Sequence, residues 1–263
     1  MTNDFTYGMY ATLLEAGLDV GFPFLTVREY LSMDAEELPP AFIVLRHDVD
    51  RKPANALDFA RIEAERGIAS TYYVRTVPTV FDPDLVREIE SLGHEIGYHY
   101  EDMDRADGDV EAAHVSFARH LARLREVATV DTVCMHGNPL TPHDNRDMWR
   151  DDDEFDEYGL LGEAYLSMDF EDVAYYSDTG RTWRDGALKV KDHTFGVDGG
   201  KRQASTTGDL VDLLRETPDG RFCLLSHPDR WADTPAELVT ETAFDTAKNV
   251  SKYAMHVVTS RGG

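Results

Sequence analysis

Short apolar runs alternate with amphipathic segments along most of the chain. Residues 41–45, 69–75, 94–99, 132–136, 173–176 and 221–226 are dominated by aliphatic, β-branched and aromatic side chains, which predicts strands buried on both faces. Residues 188–191 read as a further strand. Between these runs the apolar positions take helical spacing. Pro53 opens one such segment at a favoured first-turn position and Gly67 ends it; others cover 83–92, closed by Gly93, then 110–127, 209–216 and a last stretch from 235 to about 256. Ahead of the first strand, Tyr7, Tyr10, Leu13 and Leu14 recur at helical spacing up to Gly17, and a short segment at 26–31 precedes the break at Pro39 and Pro40. Residues 138–157 read as an acidic loop. The alternation of strand and helix, without internal repeat or flexible linker, predicts a single α/β domain. Residues 1–40 form its N-terminal cap and residues 41–263 a (β/α) barrel short of the full set of eight units.

The first core strand breaks abruptly from apolar residues into Arg46, His47, Asp48, Val49, Asp50 and Arg51. Asp48 and Asp50 lie two apart, so in extended backbone both carboxylates face one side while Val49 faces the other. One could hold a metal while the other accepts a proton. An acidic pair after a strand is ordinarily a solvated turn, and a lone strand-end histidine is ordinarily a hydrogen-bonded core or surface residue. Here, however, His99, His136 and His227 each close a different predicted strand, and in a parallel barrel all such ends meet at one mouth.

Charge narrows the classes of partner. The 263 residues carry 50 acidic against 26 basic side chains, a formal charge of -24, which argues against nucleic acid or an anionic membrane surface as partner. Acidic residues are spread along the whole chain and arginine outnumbers lysine, a pattern expected of a protein adapted to high salt, where self-repulsion is screened. Cys134 and Cys223 fall inside apolar runs and read as buried free thiols. No stretch approaches the roughly 20 apolar residues of a membrane span, and the first ten residues lack the pattern of a signal peptide, so a cytoplasmic location is expected.

In these positions the chain resembles the polysaccharide deacetylases with the NodB homology domain, also called carbohydrate esterase family 4. HDVD at residues 47–50 looks like that family's first motif, GHEIGYH at 93–99 like its second, and LLSHP at 224–228 like its closing motif. The resemblance implies a distorted (β/α) barrel, here of seven strands. It implies Asp48 as catalytic base, Asp50 and His99 as ligands of a divalent ion, and His227 as general acid. One departure stands out. The second motif normally supplies a further ligating His four residues on, and Met103 occupies that position. A thioether is a poor ligand for such an ion. His136 is the first choice for the missing ligand, with Glu101 or Asp102 behind it. The family's arginine motif is not evident either, and Arg46 is a candidate to orient Asp48 or contact substrate.

One carboxylate and two imidazoles can hold Zn²⁺ with a fourth position open for water, as a catalytic site requires, although the sequence does not choose among divalent ions. The expected reaction is removal of an acetyl group from an N-acetylated sugar or glycan intermediate. Two alternatives stand beside it: hydrolysis of another C–N amide, and a barrel that binds glycans without catalysis. Tyr100, Trp183 and Trp231 are candidates to stack on a sugar ring, and Asp178 and Arg181 to hydrogen-bond its hydroxyls.

Overall fold

The structure, a computed structural model, describes residues 4–151, 153–186, 189, 191–192, 194, 202–234 and 237–238. Eight strands run through it: β1 (Phe24–Leu25), β2 (Phe42–Val49), β3 (Thr71–Val74), β4 (Glu95–Tyr100), β5 (Thr132–Met135), β6 (Gly162–Glu163), β7 (Ala174–Ser177) and β8 (Arg221–Ser226). Seven of them form a sheet in the order β6-β5-β4-β3-β2-β8-β7, every neighbouring pair parallel. The short β1 pairs with Ile43 and Val44, on the stretch of β2 just before the rungs taken by β3.

The sheet curls until its outer strands approach. Tyr165, two residues past β6, brings its hydroxyl within 3.1 Å of the hydroxyl of Tyr175 on β7, yet among the described residues β6 and β7 do not pair. The result is a distorted (β/α) barrel with a gap, as expected.

All eight residues of β2 are buried because both of its faces are covered. Alternation sends His47 to the outer layer, against Phe59 and Tyr10 of the surrounding helices, and sends Arg46 and Asp48 to the interior. Interior space is tight. A Cβ at Gly97 on β4 would stand 2.3 Å from the Tyr73 ring on β3, so the missing side chain is what admits that tyrosine. Outside the sheet lie the helices Tyr7–Val20, Pro53–Ala64, Pro83–Ser91, Val110–Arg125 and Thr207–Glu216. Asp82, Asp109 and Thr206 cap three of them through side-chain hydrogen bonds to first-turn amides.

Several boundaries differ from the sequence reading. β2 continues through the charged residues to Val49, because their side chains too are buried against neighbouring strands. The first helix runs past Gly17, which packs against Phe24 and Ile43, and stops at Gly21 in the left-handed region. The two-residue strands β1 and β6 were not anticipated, being too short to leave a periodic signal. Residues 138–157 contain a 3₁₀ turn, Asn145–Met148, and a short helix, Asp153–Glu157. The strand expected at 188–191 and the helix expected at 235–256 lie largely outside the described residues. Cys134 and Cys223 are buried free thiols, as expected. No helix among the described residues is long and apolar enough to cross a membrane.

Candidate metal and catalytic site

The C-terminal ends of the strands open onto a cavity of about 260 Å³, walled by Asp48, Asp50, His99, His136 and His227 among others. Backbone pairing sets this arrangement. Asp50, Arg75, Glu101, His136, Asp178 and His227 are each the first residue beyond β2, β3, β4, β5, β7 and β8 respectively, so one ring of positions supplies most of the polar groups.

His99, on the last full turn of the pleat in β4, lies 3.0 Å from the carbonyl oxygen of Cys134 through Nδ1. A carbonyl only accepts, so Nδ1 carries the proton and Nε2 presents its lone pair to the cavity. There Nε2 is 3.4 Å from Asp50 Oδ1 and 3.7 Å from Asp48 Oδ2. His136 Nε2 is also 3.4 Å from Asp50 Oδ1, and the two imidazole rings stand nearly perpendicular, with centroids 5.3 Å apart. The other nitrogen, His136 Nδ1, is 3.2 Å from Glu101 Oε2. Burial drives the Asp50 carboxyl up, but the opposing effects of His136, His99 and His227 hold it well below the usual carboxylate range. Glu101 is likewise buried, and His136, Arg75 and Arg105 bring its carboxyl down to about 2.

Two donor sets share His99. Ligand atoms of Asp48, His99 and Cys134 lie within 4.8 Å of one another, deep in the barrel. Burial pushes the Cys134 thiol well above its ordinary value against the pull of Arg46, Cys134 is fully buried, and it is not among the residues lining the cavity. The thiol is therefore a poor donor, since thiolate is the ligating form. The upper set, Asp50, His99 and His136, borders the cavity. Two donors bound at about 2.1 Å to a tetrahedral ion lie about 3.4 Å apart, which is the separation found from Asp50 to each imidazole. Asp50 Oδ1 and Asp48 Oδ1 are also buried without a hydrogen-bond partner, as expected of oxygens arranged to face a cation. Of the three pairs in the upper set, the two that involve Asp50 have the spacing of co-ligands of a divalent ion.

Across the cavity His227 is held by Asp178, whose Oδ1 lies 2.7 Å from His227 Nδ1. The same carboxylate accepts from the His227 amide at 3.0 Å, Trp231 Nε1 at 2.8 Å and Arg230 Nη1 at 3.2 Å. Burial and Arg230 push the imidazole pKa down, but Asp178, with help from Asp50, leaves it raised.

Other expected site residues are placed elsewhere. Arg46 is fully buried beneath the cavity. Its guanidinium lies 4.3 Å from the Tyr165 ring centroid and donates to Cys134 Sγ at 2.9 Å, so it contacts no substrate. Tyr100 is a core residue whose hydroxyl accepts from Trp149. Trp183 and Trp231 pack with Phe5 and each other, 1% and 0% exposed, so neither ring can stack on a sugar. Asp178 binds no hydroxyl from solvent; it is committed to His227 and its neighbours. Asp102 turns away to accept from Tyr98 and Ser116, and Met103 is buried in the core. Missed in the sequence were the cavity-lining Arg51, Arg75, Lys191 and Arg230. For Arg75 the strand-end rule that selected the histidines would have sufficed.

No family model matches the chain, and no curated protein does. Among solved structures it is similar to a family 4 carbohydrate esterase from Bacillus anthracis, at 13% identity and a TM-score of 0.35, covering 78% of this chain and 74% of that one. A family 4 carbohydrate esterase from Streptomyces lividans, solved with acetate, is 13% identical with a TM-score of 0.38 over 80% of this chain and 88% of that one. The peptidoglycan deacetylase PdaC from Bacillus subtilis is 12% identical with a TM-score of 0.38, over 82% and 99%. Similarity at this level carries no argument, and the fold rests on strand order and register.

Proposed function

We propose that the protein is a metal-dependent hydrolase of the carbohydrate deacetylase type, removing an acetyl group from an N-acetylated sugar or glycan intermediate. The observation that carries this reading is the convergence of the Asp50, His99 and His136 donor set with Asp48 on one side and the Asp178-supported His227 on the other. A binding protein has no use for a base and an acid on opposite sides of one cavity.

Asp50, His99 and His136 would hold a divalent ion, Zn²⁺ being the first choice, which would supply an acidified water and polarise the acyl carbonyl. Asp48, with one oxygen unpartnered, takes the proton of the attacking water. His227 gives its Nε2 proton to the departing amine, while Asp178 holds the ring from Nδ1 and favours the charged imidazole. Arg46 serves this reading indirectly, as a fully buried positive charge beneath the cavity that holds the strand end carrying Asp48 through Cys134 and Tyr175.

Acetate release from N-acetylated oligosaccharides and nucleotide sugars tests the proposal. Turnover by the wild type that falls by about 10²-fold or more in Asp48→Asn and in His227→Ala supports it. Release that persists in both variants, or binding without release in the wild type, overturns it.

A further inference from the structure

We infer that the buried hydrogen bond between His47 and Ser226, behind the cavity wall, sets the separation of base and acid, which makes both of them positioning residues. The inference rests on the reaction proposed above, with Asp48 as base and His227 as acid. Its first support is register. β2 and β8 pair in parallel from Phe42 with Arg221 up to His47 with Ser226, and their ladder ends at that rung. On its other side β2 stays paired with β3 through Asp48 and Val49. Asp48 and His227 are thus the first residues past the last rung, and the His227 amide donates to Asp178 at 3.0 Å instead of to β2.

At that rung the side chains add the tie that the backbone is about to lose. His47 Nδ1 lies 2.8 Å from Ser226 Oγ, and the two residues are 0% and 2% exposed. The next residue on each strand faces the other way, and Asp48 and His227 both line the cavity. The second support is the anchoring of the imidazole. Its ring packs edge-on against Tyr10 and Phe59 and lies 4.6 Å from the Tyr72 ring between centroids. On the Nε2 side stand the Tyr10 hydroxyl at 3.3 Å and Glu63 Oε1 at 2.7 Å. Glu63 is itself held, accepting from Tyr72 at 2.8 Å and from Ser70. The helix Pro53–Ala64 and β3 therefore fix the ring, and the ring fixes the end of β8. A displacement of about 1 Å between reacting groups can cost on the order of 10²-fold in rate, so a tie one residue from each of them bears on turnover.

The test is steady-state acetate release from whichever N-acetylated oligosaccharide or nucleotide sugar the wild type turns over fastest, read beside Zn²⁺ content and the thermal midpoint. Ser226→Ala is expected to lower kcat roughly 10-fold, with KM and Zn²⁺ content kept within about twofold. Ser226→Thr returns the hydroxyl and is expected to recover most of the loss. His47→Asn keeps a polar group near the Nδ1 position and should lose less than His47→Leu; this pair carries the test should Ser226→Ala fail to fold. A kcat within about twofold of wild type in Ser226→Ala, or a loss that Ser226→Thr does not recover, overturns the inference and leaves the bond a stabilising contact only. A wild type that releases no acetate from any of these substrates instead sinks the deacetylase reading itself.

Discussion

Asp178 Oδ1 lies 2.7 Å from Nδ1 of His227, and the two residues sit at equivalent positions one step beyond the adjacent strands β7 and β8. The carboxylate also takes three further hydrogen bonds from His227, Arg230 and Trp231, so the imidazole is held by a group that is itself immobile.

Because Asp178 raises the His227 pKa, the protonated imidazole persists to higher pH than an ordinary histidine. As the general acid it is lost as pH rises through that raised value, so kcat/KM should fall on the basic side. Asp178→Asn removes the raising charge and should move this limb to lower pH, with a larger loss at neutral pH than under acid conditions. An unmoved basic limb in the variant would show that Asp178 does not tune the acid.

Cys134 separates the two donor sets that share His99. If the ion sits on Asp50, His99 and His136, Cys134→Ala should retain Zn²⁺ at near-wild-type stoichiometry. Metal lost on removing the thiol would place the ion in the lower set with Asp48, and Asp48 would then be a ligand and not the base.

A second buried polar cluster lies on the outer face of β2, away from the cavity. Glu63 is fully buried and accepts from Tyr72 at 2.8 Å, from Ser70 and from Tyr10, with His47 Nε2 at 2.7 Å and His94 Nδ1 at 3.4 Å. Burial raises its pKa, but His47 and His94 with Ser70 leave it lowered in the fold. Such a carboxylate stabilises the folded state above its unfolded value of about 4.3, and that stabilisation is lost as pH falls below it. His94 is lowered as well, chiefly by burial, so its share begins to disappear as pH falls through about 6.5. Both signs agree, and the protein should lose stability progressively from about pH 6.5 downward. Glu63→Gln, which buries an amide N–H₂ among the Tyr10, Ser70 and Tyr72 hydroxyls that donate to the carboxylate, should cost about 2 kcal/mol in urea unfolding at neutral pH. A cost below about 0.5 kcal/mol, the scatter of an ordinary surface substitution, would contradict this account of the cluster.

Much of this architecture was legible because parallel strands buried on both faces leave near-continuous apolar runs, as in Phe42 to Leu45 and Phe222 to Leu225. Strand ends then pointed to Asp50, His99, His136 and His227 without reference to side-chain geometry. The aromatic residues were misplaced for a physical reason. A tryptophan beside a motif residue in sequence can point either way, and Trp231 lies under His227 because its indole N–H satisfies Asp178. Arg46 was equally ambiguous, since strand alternation gives it the interior but not the depth at which Tyr165 and Tyr175 enclose it. Glu101 was weighed as a ligand, and only the structure shows its carboxylate taken up by Arg75 and Arg105.

Metal content measured by mass spectrometry on untagged protein purified in high salt, with Asp50→Ala, His99→Ala and His136→Ala alongside, tests the central claim most directly. The account predicts near-stoichiometric divalent metal in the wild type and its loss in all three variants. A wild type that takes up no metal even after incubation with Zn²⁺, or a His136→Ala protein that keeps its full complement, would contradict it.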